Sequence, residues 1–207
     1  MIFLEKESLL GEIHHRVKNN LQFISAMFQM QINSEKNVGN KAVLAEAFHR
    51  VNAITLVHEM LYNKDELEYV AVKEYINELA IKLNEIVYYK HIAIQFNLNI
   101  EDLKLDINHC VAIGMITSEI INNAIKYAFD GISNPTITIT LSYNPAEEKI
   151  TYIIMDNGIG LNKESKTQGL GMRLIDIFAR QIDMSYELKN ENGVMYIFKI
   201  PFINNEK

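Results

Sequence analysis

From Phe3 to about Asn33 the chain carries no proline and a single glycine, Gly11. Leu10, Val17 and Ile24 recur at intervals of seven, as do Leu21 and Phe28. Interleaved, the two rows read as one long helix with a coiled-coil-like seam. About 30 helical residues would span roughly 45 Å. "NSEKNVGN" (33–40) is a turn by composition. A second helix follows, with Leu44, Ala47, Val51, Ile54, His58 and Leu61 on one face, ending near "YNKDE". Two long helices joined by a short loop make an antiparallel hairpin. Such a hairpin has too little core to stand alone, and its wide apolar stripe points to a four-helix bundle built from two chains.

The chain divides near residue 65, into a hairpin over 1–65 and a second unit over 66–207. In that unit "VKEYINELAIKLNEIVYY" and "INHCVAIGMITSEIINNAIKYAF" read as helices, the second with Asp106 as its N-cap. "HIAIQFNLNI", "TITITLSY" and "KITYIIMD" alternate as strands do, and "ELEYVAV" reads as a short strand. "GLGMRLIDIFARQI" is a helix opened by glycines, and "MSYELKN" and "VMYIFKIPF" form a closing hairpin around "ENG". The predicted class is α+β: a helical hairpin, then one mostly antiparallel sheet backed by helices, an α/β sandwich.

Composition narrows the function. A net charge of −6 argues against nucleic acid as a partner, since phosphate binding needs excess Lys and Arg. One cysteine, Cys110, excludes an internal disulfide framework and a cysteine-based zinc site. No apolar run approaches the roughly 18 residues of a membrane span. "MIFLEKESLL" is not a signal peptide, because acidic residues follow close behind its apolar ones. A cytoplasmic protein is the expectation.

Three stretches carry chemistry. In "SEIINNAIKYAF" (118–129), Glu119, Asn123, Lys126 and Tyr127 fall near one helical face. A Glu and an Asn one turn apart offer oxygen ligands to Mg²⁺; alone, the stripe also fits a solvated helix face. "MDNGIGL" (155–161) ends an apolar strand. There Asp156 could accept a hydrogen bond from an exocyclic amine, and Gly158 and Gly160 let backbone pass close to a flat ligand; a plain turn has the same letters. In "GLGMRLI" (169–175), Gly169, Leu170 and Gly171 open a helix whose first N–H groups suit a phosphate; a ligand-free loop reads alike.

In this order, the three stretches resemble the ATP-binding fold shared by histidine kinases, type II topoisomerases and the Hsp90 chaperones, over about residues 67–202. The resemblance implies that Asn123 helps hold Mg²⁺ and that Asp156 binds the adenine amino group. It also implies that the Gly169–Gly171 loop lies over the phosphates. The gap from Gly160 to Gly169 is short, so the lid over the nucleotide is expected to be reduced.

The hairpin selects the branch. "LLGEIHHRVKNNLQ" resembles the phosphoacceptor box of a variant sensor histidine kinase group, HWE-like, with an H-R-x-K-N core, and "HRVNAITLVHEMLY" fits the same group. The match makes His15 the phosphoacceptor. The seam agrees: His14 shares its heptad row with Leu21 and Phe28, His15 with Gln22 and Gln29. Commoner kinases carry an acidic residue just after the histidine; here Arg16 stands there, leaving Glu12 or Glu119 as the helper. Asn19, four residues after His15, is where related kinases position the water that dephosphorylates their partner. The resemblance therefore implies a homodimeric ATP- and Mg²⁺-dependent histidine kinase that passes phosphate to an Asp of a response-regulator receiver domain. A nucleotide-gated interaction module without phosphotransfer is the alternative. A serine kinase of the anti-sigma type shares the ATP fold but needs no His-bearing hairpin. No sensor domain fits ahead of residue 8, so sensing is expected from another segment or a partner.

Overall fold

The computed structural model describes residues 2–62, 69–88, 93–161 and 169–202, with side chains for 16–60, 69–84, 93–161 and 169–202. Helix α1 (Ile2–Ser34) and helix α2 (Val38–Tyr62) form the hairpin. Side-chain hydrogen bonds from Ser25 Oγ to Asn52 Oδ1 (3.0 Å) and from Gln22 Nε2 to Glu59 Oε1 (3.1 Å) set their antiparallel register. The half-buried row of α1 is Val17, Leu21, Ser25, Phe28 and Ile32. Ile24, expected in the seam, is 39% exposed. A helix of 3.6 residues per turn drifts off a strict seven-residue repeat, and Ser25, one position on, takes its place.

The second unit begins with a short strand, β1 (Tyr69–Ala71), followed by α3 (Val72–Tyr88). Strand β2 (Gln95–Ile100) and strand β3 (Lys104–Asp106) lead into the long helix α4 (Ile107–Tyr127). β3 was not anticipated: its three residues are too few for periodicity to reveal, and it exists as an antiparallel partner of β1. Asp106 caps α4 as expected, accepting from the Asn108 and His109 amides at 2.8 and 3.1 Å. Strands β4 (Thr136–Asn144) and β5 (Lys149–Asp156), helix α5 (Leu170–Gln181), and strands β6 (Ser185–Asn190) and β7 (Val194–Pro201) complete the fold.

β2, β4, β5, β7 and β6, in that spatial order, form a five-stranded sheet that is antiparallel except for the parallel pair β2–β4. Alternate residues face the core, among them Ile137, Ile139, Leu141, Ile150, Tyr152, Ile154, Phe198 and Ile200. They meet Ile113, Ile116, Ile120 and Ile121 of α4 and Ile175 of α5 in one apolar cluster. The fold is a helical hairpin followed by an α/β sandwich.

The hairpin is not separate from that core. Ala53, Leu56 and Val57 of α2 are 1%, 5% and 0% exposed and belong to the same cluster. The buried Tyr75 hydroxyl of α3 donates to Ala53 O at 3.2 Å. It crosses α4 at Gly114, where a Cβ would lie 1.7 Å from that oxygen. Of the face of α2 expected to be buried, Leu44, Ala47, Val51, Ile54 and His58 are half-buried and the Leu61 side chain lies outside the described residues, while the neighbouring face is the one sealed against the sandwich. A helix apolar on nearly all sides has partners on more than one.

Candidate functional site

The buried flank of α4 sets the first motif. Ile120, Ile121, Ala124 and Ile125 are anchored in the core, which leaves Glu119 and Asn123 at the edge where α5 begins. Glu119 is only 3% exposed, Asn123 is half-buried, and Tyr127 stands out at 69% exposure. Gly171 lies against this pair: a Cβ there would be 2.9 Å from Glu119 Oε2 and 3.5 Å from Asn123 Nδ2. The glycine thus lets the start of α5 close onto the two α4 side chains, bringing the first and third motifs together. Gly169 is the N-cap of α5 and contributes no side-chain cap of its own to the amides at that helix start. Leu170 is 62% exposed on the rim.

Asp156 ends β5 with 4% exposure. Its Oδ1 accepts from Gly158 N (2.9 Å) and Val194 N (3.2 Å). Burial raises its pKa above the ordinary aspartate value, and those two amides pull it back. Gly158 packs on the end of α4, where a Cβ would lie 2.4 Å from both Ala128 Cβ and Ala128 O, and the Ile159 amide donates to Ala128 O at 2.9 Å. Gly160 has φ +79°. Ile159 and Leu161 are 65% and 48% exposed beside it.

Sequence reasoning missed several residues that shape this edge. Asn190 at the end of β6 clamps the loop after Gly160. It accepts from Leu161 N at 2.8 Å and donates from Nδ2 to Leu161 O at 3.2 Å. Gly193, at φ +115°, packs on Asp156, with a would-be Cβ 2.0 Å from Asp156 O. The "ENG" letters signalled a turn but not its contact. From α2, Arg50 reaches Glu119 with two bonds, Nε to Oε1 at 2.5 Å and Nη2 to Oε2 at 3.0 Å. Glu46 pairs with Lys126 and, at 3.6 Å, with Arg50. Lys126 is therefore engaged by the hairpin. No local pattern could announce pairs 69 and 80 residues apart.

In the hairpin, Glu12, His14 and His15 lie within α1, and their side chains fall outside the described residues. Leu21 and Phe28, on the His14 row, are half-buried, whereas Gln22 and Gln29, on the His15 row, are exposed, as is Asn19. The loop expected to be a reduced lid, residues 162–168, also lies outside the described residues.

The donor set fits a nucleotide with an oxygen-preferring cation. A buried carboxylate at Asp156 suits an amine, and the amides at the start of α5 suit phosphate. Asn123 supplies one amide oxygen at the same place. Among the described residues no group of three or more His, Cys, Asp or Glu could hold a metal ion by itself. No helix among the described residues is long and apolar enough to cross a membrane.

Two family models match the chain. One, described as "Histidine kinase", covers residues 12–87; the other, described as "Histidine kinase-, DNA gyrase B-, and HSP90-like ATPase", covers 110–204. The chain is 28% identical over 205 residues to the sensor histidine kinase PdtaS of Mycobacterium tuberculosis, covering 96% of this chain and 40% of that protein. It is 24% identical over 178 residues to blue-light-activated histidine kinase 2 of Erythrobacter litoralis, 83% of this chain and 50% of that one. The chain thus spans half or less of the length of these relatives. Among solved structures, the histidine kinase domain of Erythrobacter litoralis EL346 superposes with a TM-score of 0.69 at 22% identity, covering 96% of this chain and 93% of that one. The catalytic domain of histidine kinase ThkA superposes with a TM-score of 0.52 at 24% identity, over 64% of this chain and 94% of that one. The helical hairpin, the sandwich behind it and the order of the three motifs agree with both matches, and the chain belongs to the histidine kinases, as an HWE-like sensor kinase transmitter region.

Proposed function

We propose that the chain binds Mg-ATP and transfers its γ-phosphoryl group to His15, which hands it to an aspartate of a response-regulator receiver domain. The observation that carries this reading is the convergence of Glu119, Asn123 and Gly171 at one edge of the sandwich, with Asp156 and its glycines at the end of the neighbouring strand. Residues 66–207 act as the ATP-binding unit. In it Asp156 takes the adenine amine, Gly158 and Gly160 admit the base, and Gly169, Leu170 and Gly171 cover the phosphates. Asn123 would hold Mg²⁺, which supplies charge neutralisation on the phosphates, with Lys126 and Tyr127 on the flank of the site.

Residues 1–65 act as the phosphoacceptor and dimerisation unit in a cytoplasmic homodimer. An imidazole nitrogen of His15 attacks the γ-phosphorus, the bond from phosphorus to the ADP oxygen breaks, and ADP leaves. Imidazole is largely neutral and nucleophilic near pH 7, and the transfer needs positioning and charge neutralisation more than covalent help. Glu12 or Glu119 takes the ring proton. Asn19 positions the water that later dephosphorylates the regulator.

Incubation with γ-labelled ATP tests the reading. Label that survives base and is lost in acid, and that disappears in His15→Gln with ATP binding retained, is the expected result. Acid-stable, base-labile label would mark a serine kinase. Nucleotide binding without any label would leave an interaction module.

A further inference from the structure

Glu119 is a carboxylate at 3% exposure whose cation comes from the hairpin. Arg50 holds both of its oxygens, the fork geometry in which guanidinium binds carboxylate most firmly. One turn earlier on α2, Glu46 holds Lys126, so two ion pairs of opposite polarity join α2 to α4. Beneath them Ala53, Leu56 and Val57 seal the hairpin to the sandwich, and Tyr75 adds its bond to Ala53 O.

This docking sets the hairpin at a definite height. Ser25 faces Asn52, and Arg50 precedes Asn52 by two residues, so Arg50 stands level with about residue 27 of α1. His15 lies about twelve residues further towards the N-terminus, roughly 18 Å along the axis at 1.5 Å per residue. The α4 carboxylate beside Gly171 is therefore engaged by the hairpin far from the height of His15.

We propose that Arg50 is a latch: it is the counter-ion of Glu119 while the hairpin is docked, and Mg-ATP displaces it, so nucleotide binding and docking oppose each other. The inference rests on the nucleotide site proposed above. Its physical basis is charge. A buried carboxylate needs a cation, and removing one partner of a buried pair is strongly destabilising. Undocking with the site vacant would strand Glu119. With Mg²⁺ seated at Asn123, one turn from Glu119, the carboxylate has a second cation beside it and Arg50 is no longer required. Such coupling is reciprocal: the factor by which docking weakens nucleotide binding is the factor by which nucleotide weakens docking, typically about 5-fold to 150-fold.

The test uses the full chain with dyes on Lys36→Cys and Glu147→Cys, both exposed positions; the native Cys110 is fully buried, and burial raises its thiol pKa. Energy transfer and Mg-ATP affinity are measured for the wild type, Arg50→Gln and Arg50→Lys. Saturating Mg-ATP is expected to change transfer in the wild type, and ATP with EDTA to change it less. Arg50→Gln is expected to bind Mg-ATP about 5-fold or more tightly and to show the nucleotide-bound transfer value without nucleotide. Arg50→Lys, which keeps the charge but loses the fork, is expected to fall between. Should Arg50→Gln not fold, Arg50→Lys and the wild-type transfer change decide. Equal or weaker Mg-ATP binding in Arg50→Gln, or transfer in the wild type that ignores Mg-ATP, overturns the latch while leaving the nucleotide site intact. A wild type that binds no Mg-ATP overturns the nucleotide site itself, and the latch with it.

Discussion

Asp156, the proposed acceptor for the adenine amine, would serve binding against stability. Its Oδ1 is committed to the Gly158 and Val194 amides, and desolvation raises its pKa. The sign follows from proton counting. Where pH lies between the ordinary aspartate value and the raised one, the folded chain holds a proton that the unfolded chain has released. Stability therefore falls as pH rises through that window, and the loss persists at neutral pH. Asp156→Asn keeps an acceptor for the two amides and removes the charge, so its nucleotide-free melting temperature at pH 7 is expected to equal or exceed that of the wild type. The same change presents an N–H to the adenine N–H and removes a charged acceptor, and ATP affinity is expected to drop by about 2 kcal/mol, roughly 30-fold. GTP, with a carbonyl at that place, is expected to bind the wild type poorly. Calorimetric titration beside a melting curve reads both effects; undiminished ATP binding by Asp156→Asn would remove the residue from the base site. Asp156 was legible in the sequence because an apolar strand delivers it directly into D-N-G-I-G. Its supports, Asn190 and Gly193, were not, since a hairpin turn 34 to 37 residues later is recognisable only as a turn.

At the scale of elements, long periodic helices and alternating strands were readable, and the exceptions have physical causes. β3 is too short for a period. Ile24 falls out of the seam because a helix of 3.6 residues per turn drifts against the heptad. α2 was read with one apolar face and uses two, because apolar side chains on nearly every side do not declare which partner each will meet. Its half-buried His49 registers that second use. The ring packs edge-on to Phe48, with centroids 5.5 Å apart, and desolvation lowers its pKa from 6.5 to about 4 despite the opposing pull of Glu46. The folded ring is neutral, whereas the unfolded ring takes up a proton below about pH 6.5. Stability contributed by His49 is thus present above that value and is lost as pH falls towards 4. His49→Gln cannot titrate, so the drop in melting temperature between pH 7 and pH 4.5 is expected to be smaller than in the wild type. Parallel pH profiles would show that His49 remains accessible to protons in the fold.

For the whole molecule, the apolar surface of the hairpin has two destinations. Part of it is consumed within the chain, where Ala53, Leu56 and Val57 join the core of the sandwich. What remains lies elsewhere: Phe23, Met27 and Met30 recur at four and three residues along α1, at 66%, 49% and 73% exposure, with Val38 and Val43 of α2 at 82% and 65%. Large apolar side chains at helical spacing form a stripe able to pair with its own copy about a two-fold axis. Full burial of such a side chain contributes about 1.5–3 kcal/mol, and in a symmetric pair each counts twice. A charge at the centre of the stripe removes that gain and is itself costly to desolvate. The proposed homodimer therefore predicts that Met27→Glu lowers the solution mass from two chains to one at micromolar concentration. Mg-ATP affinity should be retained, because Met27 is exposed on α1 and is not among the residues of the proposed nucleotide site. Light scattering across a dilution series checks the first point and titration the second. A wild type that stays monomeric throughout would mean the stripe does not self-associate. A Met27→Glu variant that stays dimeric would place the interface on another face. If the dimer forms as expected, mixing His15→Gln with Asp156→Asn chains decides the route of transfer. Label appearing in the mixture, when each variant alone gives none, requires ATP held by one protomer to phosphorylate the histidine of the other. Label absent from a mixture proven to contain heterodimers confines the transfer to a single chain, and hinge motion of the hairpin against its own sandwich must then span the distance between Arg50 and His15.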